Sequence, residues 1–281
     1  MKKSIPAIPA VILSMMSVQG GASIAKSLFP VLGAAGTSSL RIGISAIILF
    51  FYNRPNLKKL TTFEWKISFM YGMCLAFMNL LFYFSIQRIP IGLGVTIEFI
   101  GPLALAIFSS RKKIDYLWAI IAAIGILLIV PWQNNSLDFI GLLLAFAAGL
   151  FWAGYIVVGG KVAQKMDSNT SVTVGMGFAS LFIIPFALVS GDLMALTGKL
   201  LLIGTAVALL SSAIPFSLDI IALKKLPSKT FSILMSLQPA FGAISGLLFL
   251  GEILTFYQWL SILCVISASI GTTISSRKEV Q

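Results

Sequence analysis

PIGLGVTIEFIGPLALAIFSSRKKID, residues 90–115, is the stretch on which the fold turns. It is apolar over the length of a bilayer crossing, yet it carries one carboxylate, Glu98, and one interior proline, Pro102. A helix needs about 20 apolar residues to cross the hydrocarbon layer. A carboxylate inside such a span costs roughly 2.5–3.5 kcal/mol on insertion scales, so it is a functional candidate by default.

The same punctuation returns in PSKTFSILMSLQPAFGAISGLLFLGE, residues 227–252. Pro90 and Pro102 are 12 residues apart, as are Pro227 and Pro239, and Asp115 and Glu252 each lie 13 beyond the second proline. Arg88 and Lys225 each stand two residues before the first. A constant offset of 137 between four such positions points to a duplicated unit of about half the chain.

Composition sets the class. The chain is 58% hydrophobic and only 10% charged, with a mean hydropathy of +1.00; soluble domains carry about 25% charged residues. This is a polytopic membrane protein. Its net charge of +11 lies in short basic runs between apolar spans, where it orients helices against a bilayer, and nucleic-acid binding is not implied. The chain has no histidine, and Cys74 and Cys264 fall one in each half, so neither a disulfide framework nor a common zinc site is expected, and any proton relay must use carboxylates. Lys2, Lys3 and the apolar run after them could pass for a signal peptide, but Gln19, Gly20 and Gly21 interrupt its end, so the segment is read as a retained first span.

Ten spans are expected, at 8–29, 34–52, 66–86, 91–110, 114–132, 138–159, 170–190, 200–222, 229–250 and 256–275. Of the 20 Lys and Arg residues, sixteen fall in one set of alternate connectors and termini, Arg88 and Lys199 fall in the other, and Lys26 and Arg41 fall inside spans. The positive-inside rule then puts both termini in the cytoplasm. Ten spans in two units gives five each, at 1–133 and 134–281, and an odd number inverts the second unit against the first. The fold expected is an all-α membrane protein of ten helices in two inverted five-helix repeats forming one transmembrane domain, with a site near the midplane where the halves meet.

Helix rise converts sequence position into depth. Gln19, Asn79, Glu98, Trp152 and Gln238 come out near mid-membrane, Lys26, Arg41 and Tyr83 nearer the outer end, and Asp219 about one turn from the cytoplasmic end. Asn79 and Gln19 read equally as hydrogen-bonding glue between helices, and Trp152 and Tyr155 as packing or as cavity lining. Lys26 can snorkel to headgroups. Glu98 either serves a ligand or neutralises Arg41, and Asp219 is read as a snorkelling or capping partner of Lys224. Pro102 and Pro239 are expected to break their helices, with Gly101 and Gln238 extending the opening toward a solute. Gly242 and Gly246 form a small-xxx-small packing pair.

The run LQPAFGAISGLLFLGEILTFYQWL, 237–260, resembles the closing signature of the drug/metabolite transporter superfamily, the ten-helix type called EamA. VQGGASIAKSLFP (18–30), SSLRIG (38–43), MNLLFYFSIQRIPIG (78–92), EFIGPLALAIFSSRKKID (98–115) and LPSKTFSILMSLQPA (226–240) further resemble its bacterial threonine/homoserine exporter branch. That resemblance, which covers nearly the whole chain, implies two EamA-like repeats in a bacterial inner (plasma) membrane, exporting small amino acids by proton exchange. Implied partners are the amino acid, protons and membrane lipid, with no cofactor and no metal; the chain is expected to be a monomer or weak homodimer.

A zwitterion could use the charges available. Lys26 and Arg41 can receive a carboxylate, bidentately at Arg41. Glu98 can receive an ammonium or a proton, and since the two exclude one another, that choice would couple proton and substrate. Substrate-binding candidates are therefore Lys26, Arg41, Asn79, Tyr83, Glu98, Trp152 and Gln238. Two other readings compete: export of lipophilic cations or aromatic compounds, which Lys26 and Arg41 oppose, and a membrane-embedded enzyme, for which no paired carboxylates, histidine site or phosphate loop are found. No ATP-binding motif occurs.

Overall fold

The computed structural model describes residues 6–108, 114–129 and 138–277. Lys2, Lys3, Arg111, Lys112, Lys113, Lys278, the span ends at 109–110 and 130–132 and the connector at 133–136 lie outside these, as does the side chain of Asp115. Among the described residues every regular element is helical. In chain order these are α1 (Ala7–Lys26), α2 (Phe29–Asn53), α3 (Thr62–Ile86), α4 (Ile91–Glu98), α5 (Ile100–Phe108), α6 (Ile114–Ile129), α7 (Phe139–Lys165), α8 (Ser168–Ser190), α9 (Gly198–Ala208), α10 (Ile214–Lys225), α11 (Ser228–Leu234), α12 (Gln238–Leu250) and α13 (Phe256–Arg277).

Helix is present in each of the ten stretches expected to hold a span. Among the described residues, six segments are long and apolar enough to cross a bilayer by themselves: α1, α2, α3, α7, α8 and the continuous helix Gly198–Lys225 that contains α9 and α10. The α3 helix starts earlier than the expected 66, because Thr61 and Glu64 form a capping box: the Thr61 hydroxyl accepts from the Glu64 amide at 3.2 Å and the Glu64 carboxylate from the Thr61 amide at 2.7 Å. Asp138 and Asp167 cap α7 and α8 with their side-chain oxygens.

Two segments are broken. The helix that begins at Ile91 ends at Glu98 and resumes at Ile100, and the one that begins at Ser228 passes through a 3-10 turn at Met235–Leu237 before α12. Proline is the cause in both. Its ring displaces the carbonyl four residues earlier and its nitrogen offers that carbonyl no donor; Pro102 does this to Glu98 and Pro239 to Met235. Each proline then sits in the first turn of the next helix, where a missing N–H costs nothing. Glu98 and Met235 are separated by the same 137 residues as the prolines.

The helix beside the first break fits it closely. A Cβ at Gly149 of α7 would fall on the Glu98 carbonyl oxygen, and a Cβ at Gly101 on the Gly149 carbonyl, so the two glycines let α7 cross the break in contact with its backbone. At Gly33 (φ 60, ψ 175) the α2 helix kinks and restarts. The Asp192 carboxylate accepts the Gly36 amide there at 3.0 Å, serving a donor that the kink leaves without an intrahelical partner.

A π-turn at Leu209–Ala213 joins α9 to α10. Carbonyls in it and just before it find side-chain donors: Ser45 on Ala208 (2.8 Å), Ser17 on Leu210 and Arg41 on Ser211 (3.2 Å). Such turns recur at functional sites because they turn backbone oxygens out of the helix ladder.

α3 packs on α7 and α8, α2 on α8 and α9, α1 on α10 and α12, α4 on α7 and α12, and α6 on α13. Large apolar side chains such as Phe51, Leu202 and Val189 are 71%, 73% and 90% exposed, as lipid-facing residues of a multi-pass membrane protein are. The small residues of α12 act as packing positions: Gly242 meets Val95 and Gln19, and Gly246 meets Ile91 and Glu252.

Candidate functional site

A cavity opens where the interrupted helices meet α1, α2, α3, α7 and α10. Arg41, Asn79, Glu98, Trp152 and Gln238, five of the seven binding candidates, line it, together with Gln19, Tyr155, Phe216, Asp219 and Met235. Its volume, counted as the space open to the centres of water molecules, is about 50 Å³, and one water needs roughly 10–15 Å³ on that measure. The space holds a few waters.

Arg41 is the most deeply buried charged residue among the described residues, 2% exposed on α2. Its guanidinium donates to the Ser211 hydroxyl at 2.6 Å, to the Ser211 carbonyl at 3.2 Å and to the Asn79 side-chain oxygen. Asn79 is itself tied to the Leu75 carbonyl at 2.7 Å. Tyr83 does not line the cavity; its ring lies beneath the guanidinium, 4.6 Å from Cζ to the ring centroid, a cation-π contact of about 0.5–2 kcal/mol. Tyr83 is thus a support for Arg41.

Glu98 stands at the last residue of α4, 7% exposed, where Pro102 ends the helix. No ion pair within 4 Å and no hydrogen bond reaches its carboxylate from the described residues. No ion pair within 4 Å joins Arg41 to Glu98 among the described residues, and the hydrogen bonds of Arg41 go to neutral partners. At the second break the Gln19 amide donates to the Gln238 side-chain oxygen, and Ser245 donates to the Gln19 carbonyl at 2.9 Å. Gln19 Oε1 is buried with no partner among the described residues. Gln19, read equally as interhelical glue and as a site residue, bonds Gln238 across the helices and also lines the cavity.

Asp219 departs from expectation. It is 5% exposed and faces the cavity, accepting the Ser14 hydroxyl at 2.6 Å and the Tyr155 hydroxyl at 3.1 Å. Lys224, its expected partner, is exposed and makes no ion pair with it. Distance from the helix end fixes the depth of Asp219 but not its face: five residues separate it from Lys224, which turns the two side chains well away from each other around a helix of 3.6 residues per turn.

Lys26 is also displaced from its expected role. It does not line the cavity; its ammonium pairs with Glu252 at 2.7 Å and donates to the Ile89 carbonyl at 3.3 Å. The other Glu252 oxygen accepts the Ile91 amide, the first residue of α4, at 3.0 Å. One carboxylate therefore joins the end of α1, the start of α4 and the segment after α12.

The profile of the EamA-like transporter family matches residues 139–274. The threonine/homoserine exporter RhtA of Escherichia coli K12 is 41% identical over 285 residues, covering 97% of this chain and 93% of its own length. The chain belongs to the EamA-like transporters of the drug/metabolite transporter superfamily. RhtA of Salmonella typhimurium LT2 is 40% identical, covering 98% of this chain and 93% of its own, and the uncharacterized transporter YwfM of Bacillus subtilis 22% identical, covering 88% and 86%. A crystal structure of another protein superposes with a TM-score of 0.66 over 98% of this chain and 99% of that one; at 13% identity this speaks to the fold alone. In this EamA-like chain the buried polar groups of the two halves, Arg41, Asn79 and Glu98 from one and Asp219 and Gln238 from the other, meet in one cavity.

Proposed function

We propose that this chain is a secondary transporter of the bacterial inner membrane that exports small neutral hydrophilic amino acids of the threonine/homoserine type, in exchange for protons, by alternating access. The observation that carries it is one buried cavity lined by a fixed guanidinium, Arg41, and a carboxylate without a protein partner among the described residues, Glu98. A zwitterion needs both. The full-length relatives at about two-fifths identity, named as threonine/homoserine exporters, point to the same substrate class.

In this reading Arg41 receives the substrate carboxylate, and Glu98 holds either a proton or the ammonium. Asn79 and Tyr83 position the guanidinium, and Trp152 and Gln238 line the site. Because Glu98 cannot hold both, release of one favours the other, which is the minimum needed for exchange. An amino acid is several times larger than a water, so the cavity must widen for loading. The breaks after Glu98 and at Met235–Leu237 are where such helices can bend.

Ten crossings in two inverted repeats accord with the reciprocal packing of the halves. The contact of α3 with α7 is matched by that of α10 with α1, and that of α4 and α5 with α7 by that of α12 and α11 with α1. With both termini cytoplasmic, the Lys26–Glu252 pair lies at the outer ends of α1, α4 and α12, and it holds the cavity closed on that side. Arg41 in the cavity disfavours the reading as an exporter of lipophilic cations.

The test is efflux from cells loaded with a panel of radiolabelled amino acids and lipophilic cations, with and without the protein. Threonine and homoserine should leave faster with it; efflux confined to the cations would reverse the assignment.

A further inference from the structure

Asp219 has no place in the proposed exchange at Glu98, and its surroundings suit a ligand better than a scaffold. We infer that Asp219, with Ser14 and Tyr155, forms a receiving subsite for the substrate's ammonium group on the cytoplasmic side of Glu98. The inference rests on the amino-acid export reading and its orientation.

Its two carboxylate oxygens each take one hydroxyl, Ser14 at 2.6 Å and Tyr155 at 3.1 Å. A carboxylate has about four acceptor positions, so two remain for incoming N–H donors. No Lys or Arg forms an ion pair with it among the described residues. A cation partner among the described residues is therefore missing from a buried carboxyl group that faces a cavity. Aromatic rings border the setting: Tyr155 packs edge-on against Phe216 at 5.8 Å and stacks on Tyr71 at 5.2 Å, and Tyr155, Phe216 and Trp152 line the same space.

A second observation points the same way. Gln19, on the helix that carries Ser14, lines the cavity, and its Oε1 is buried with no partner among the described residues. It is an acceptor to which no described residue donates. Ser14 precedes Gln19 by five residues, about 7.5 Å along α1 toward its cytoplasmic end and well around the helix from it, so it is Asp219 and not Ser14 that shares the cavity with Gln19. The acceptors thus form a ladder: Asp219 near the inner end, Gln19 above it, and Glu98 at the broken helix. An ammonium arriving from the cytoplasm meets Asp219 first and reaches Glu98 only by advancing, so the two acids act in sequence.

The experiment measures half-saturation separately at the two faces of the membrane, using threonine exchange in inside-out and right-side-out vesicles. Asp219→Asn should raise half-saturation at the cytoplasmic face at least tenfold, with maximal rate and outer-face half-saturation within twofold of wild type. 1-Amino-2-propanol, which has threonine's ammonium without its carboxylate, should inhibit wild type from the cytoplasmic face and lose at least tenfold potency on Asp219→Asn. N-acetylthreonine, which has the carboxylate without the ammonium, should act equally on both. Unchanged half-saturation and unchanged amine inhibition would overturn the subsite and leave amino-acid export standing. Amine binding to purified wild-type protein that Asp219→Asn abolishes, in vesicles that move no amino acid, would instead keep the subsite and remove the export reading. If Asp219→Asn does not fold, Asp219→Glu decides: displaced by one methylene, its carboxylate should weaken amine inhibition severalfold without altering that by N-acetylthreonine, and equal potencies would overturn the proposal.

Discussion

Lys26 Nζ and Glu252 Oε1 meet at 2.7 Å although 226 residues separate them in the chain. The pair is partly exposed, 22% and 17% for the two side chains, and such pairs are worth roughly 0–1 kcal/mol. The backbone bonds to Ile89 and Ile91 extend it across three helix ends. Losing about 1 kcal/mol shifts a two-state equilibrium about fivefold. Glu252→Gln should therefore make a cysteine placed at Ala22 about fivefold more reactive to an impermeant reagent applied outside, in a protein whose two native cysteines are replaced. The exchange of charges, Lys26→Glu with Glu252→Lys, should restore most of the protection. Equal reactivity in all three proteins would show that the pair closes nothing.

Gly149 and Gly101 are required by contact with backbone, which cannot move aside as a side chain can. Gly149→Ala pushes α7 away from Glu98, an overpacking worth about 1–3 kcal/mol, and should lower the melting temperature in detergent along with transport. Gly177 in α8 has nothing within 4 Å of an added Cβ, so Gly177→Ala should be neutral or stabilising by about 0.5–1 kcal/mol. Thermal melts of the two variants side by side would expose a packing error if both behaved alike.

Arg41 bonds Asn79 and Ser211 at once while its plane rests on Tyr83. Lysine keeps the charge and loses the fork. Arg41→Lys should fold, export threonine at least tenfold more slowly and leave the π-turn carbonyl of Ser211 short of a donor. Export at the wild-type rate would mean that charge alone is needed there.

Gly33 adopts a backbone region open essentially to glycine. Gly33→Ala should cost about 1–3 kcal/mol from strain alone, and a side chain there would also meet the Asp192 carboxylate. Asp192→Asn keeps a side-chain oxygen for the Gly36 amide and should cost less. Chemical denaturation of both variants in detergent gives the order, and the reverse order would put the constraint in the charge of Asp192.

Apolar length and proline spacing are one-dimensional patterns, and both are legible in the chain. Apolar length marks a helix at every expected span, and the prolines at a constant offset mark both breaks, though proline alone does not decide, since Pro185 lies inside the unbroken α8. Facing is not legible in this way. Asp219 resembles a partner of Lys224 because they are close along the helix, and Lys26 resembles a substrate ligand because its ion-pair partner lies in the other half of the chain. The hydrogen-bond hub at Ser211 has no sequence signal beyond a pair of serines, since a π-turn is set by packing against α1 and α2. A carboxylate within the Gly198–Lys225 span is nonetheless a visible signal, and depth alone is too coarse to weigh it.

Glu98→Gln tests the central claim most directly, by comparing proton-driven efflux with downhill threonine exchange in the same vesicles. The amide still donates and accepts hydrogen bonds but does not titrate. With Glu98 as the exchanging acid, the variant should be made at normal yield, lose accumulation driven by a proton gradient, and retain downhill exchange without the pH dependence that Glu98 contributes. If the carboxylate instead exists to neutralise Arg41, removing it strands a buried cation at a cost of roughly 3–5 kcal/mol. A destabilised Glu98→Gln protein, rescued in yield and melting temperature by adding Arg41→Gln, would contradict the exchange role and leave the broken helix a scaffold.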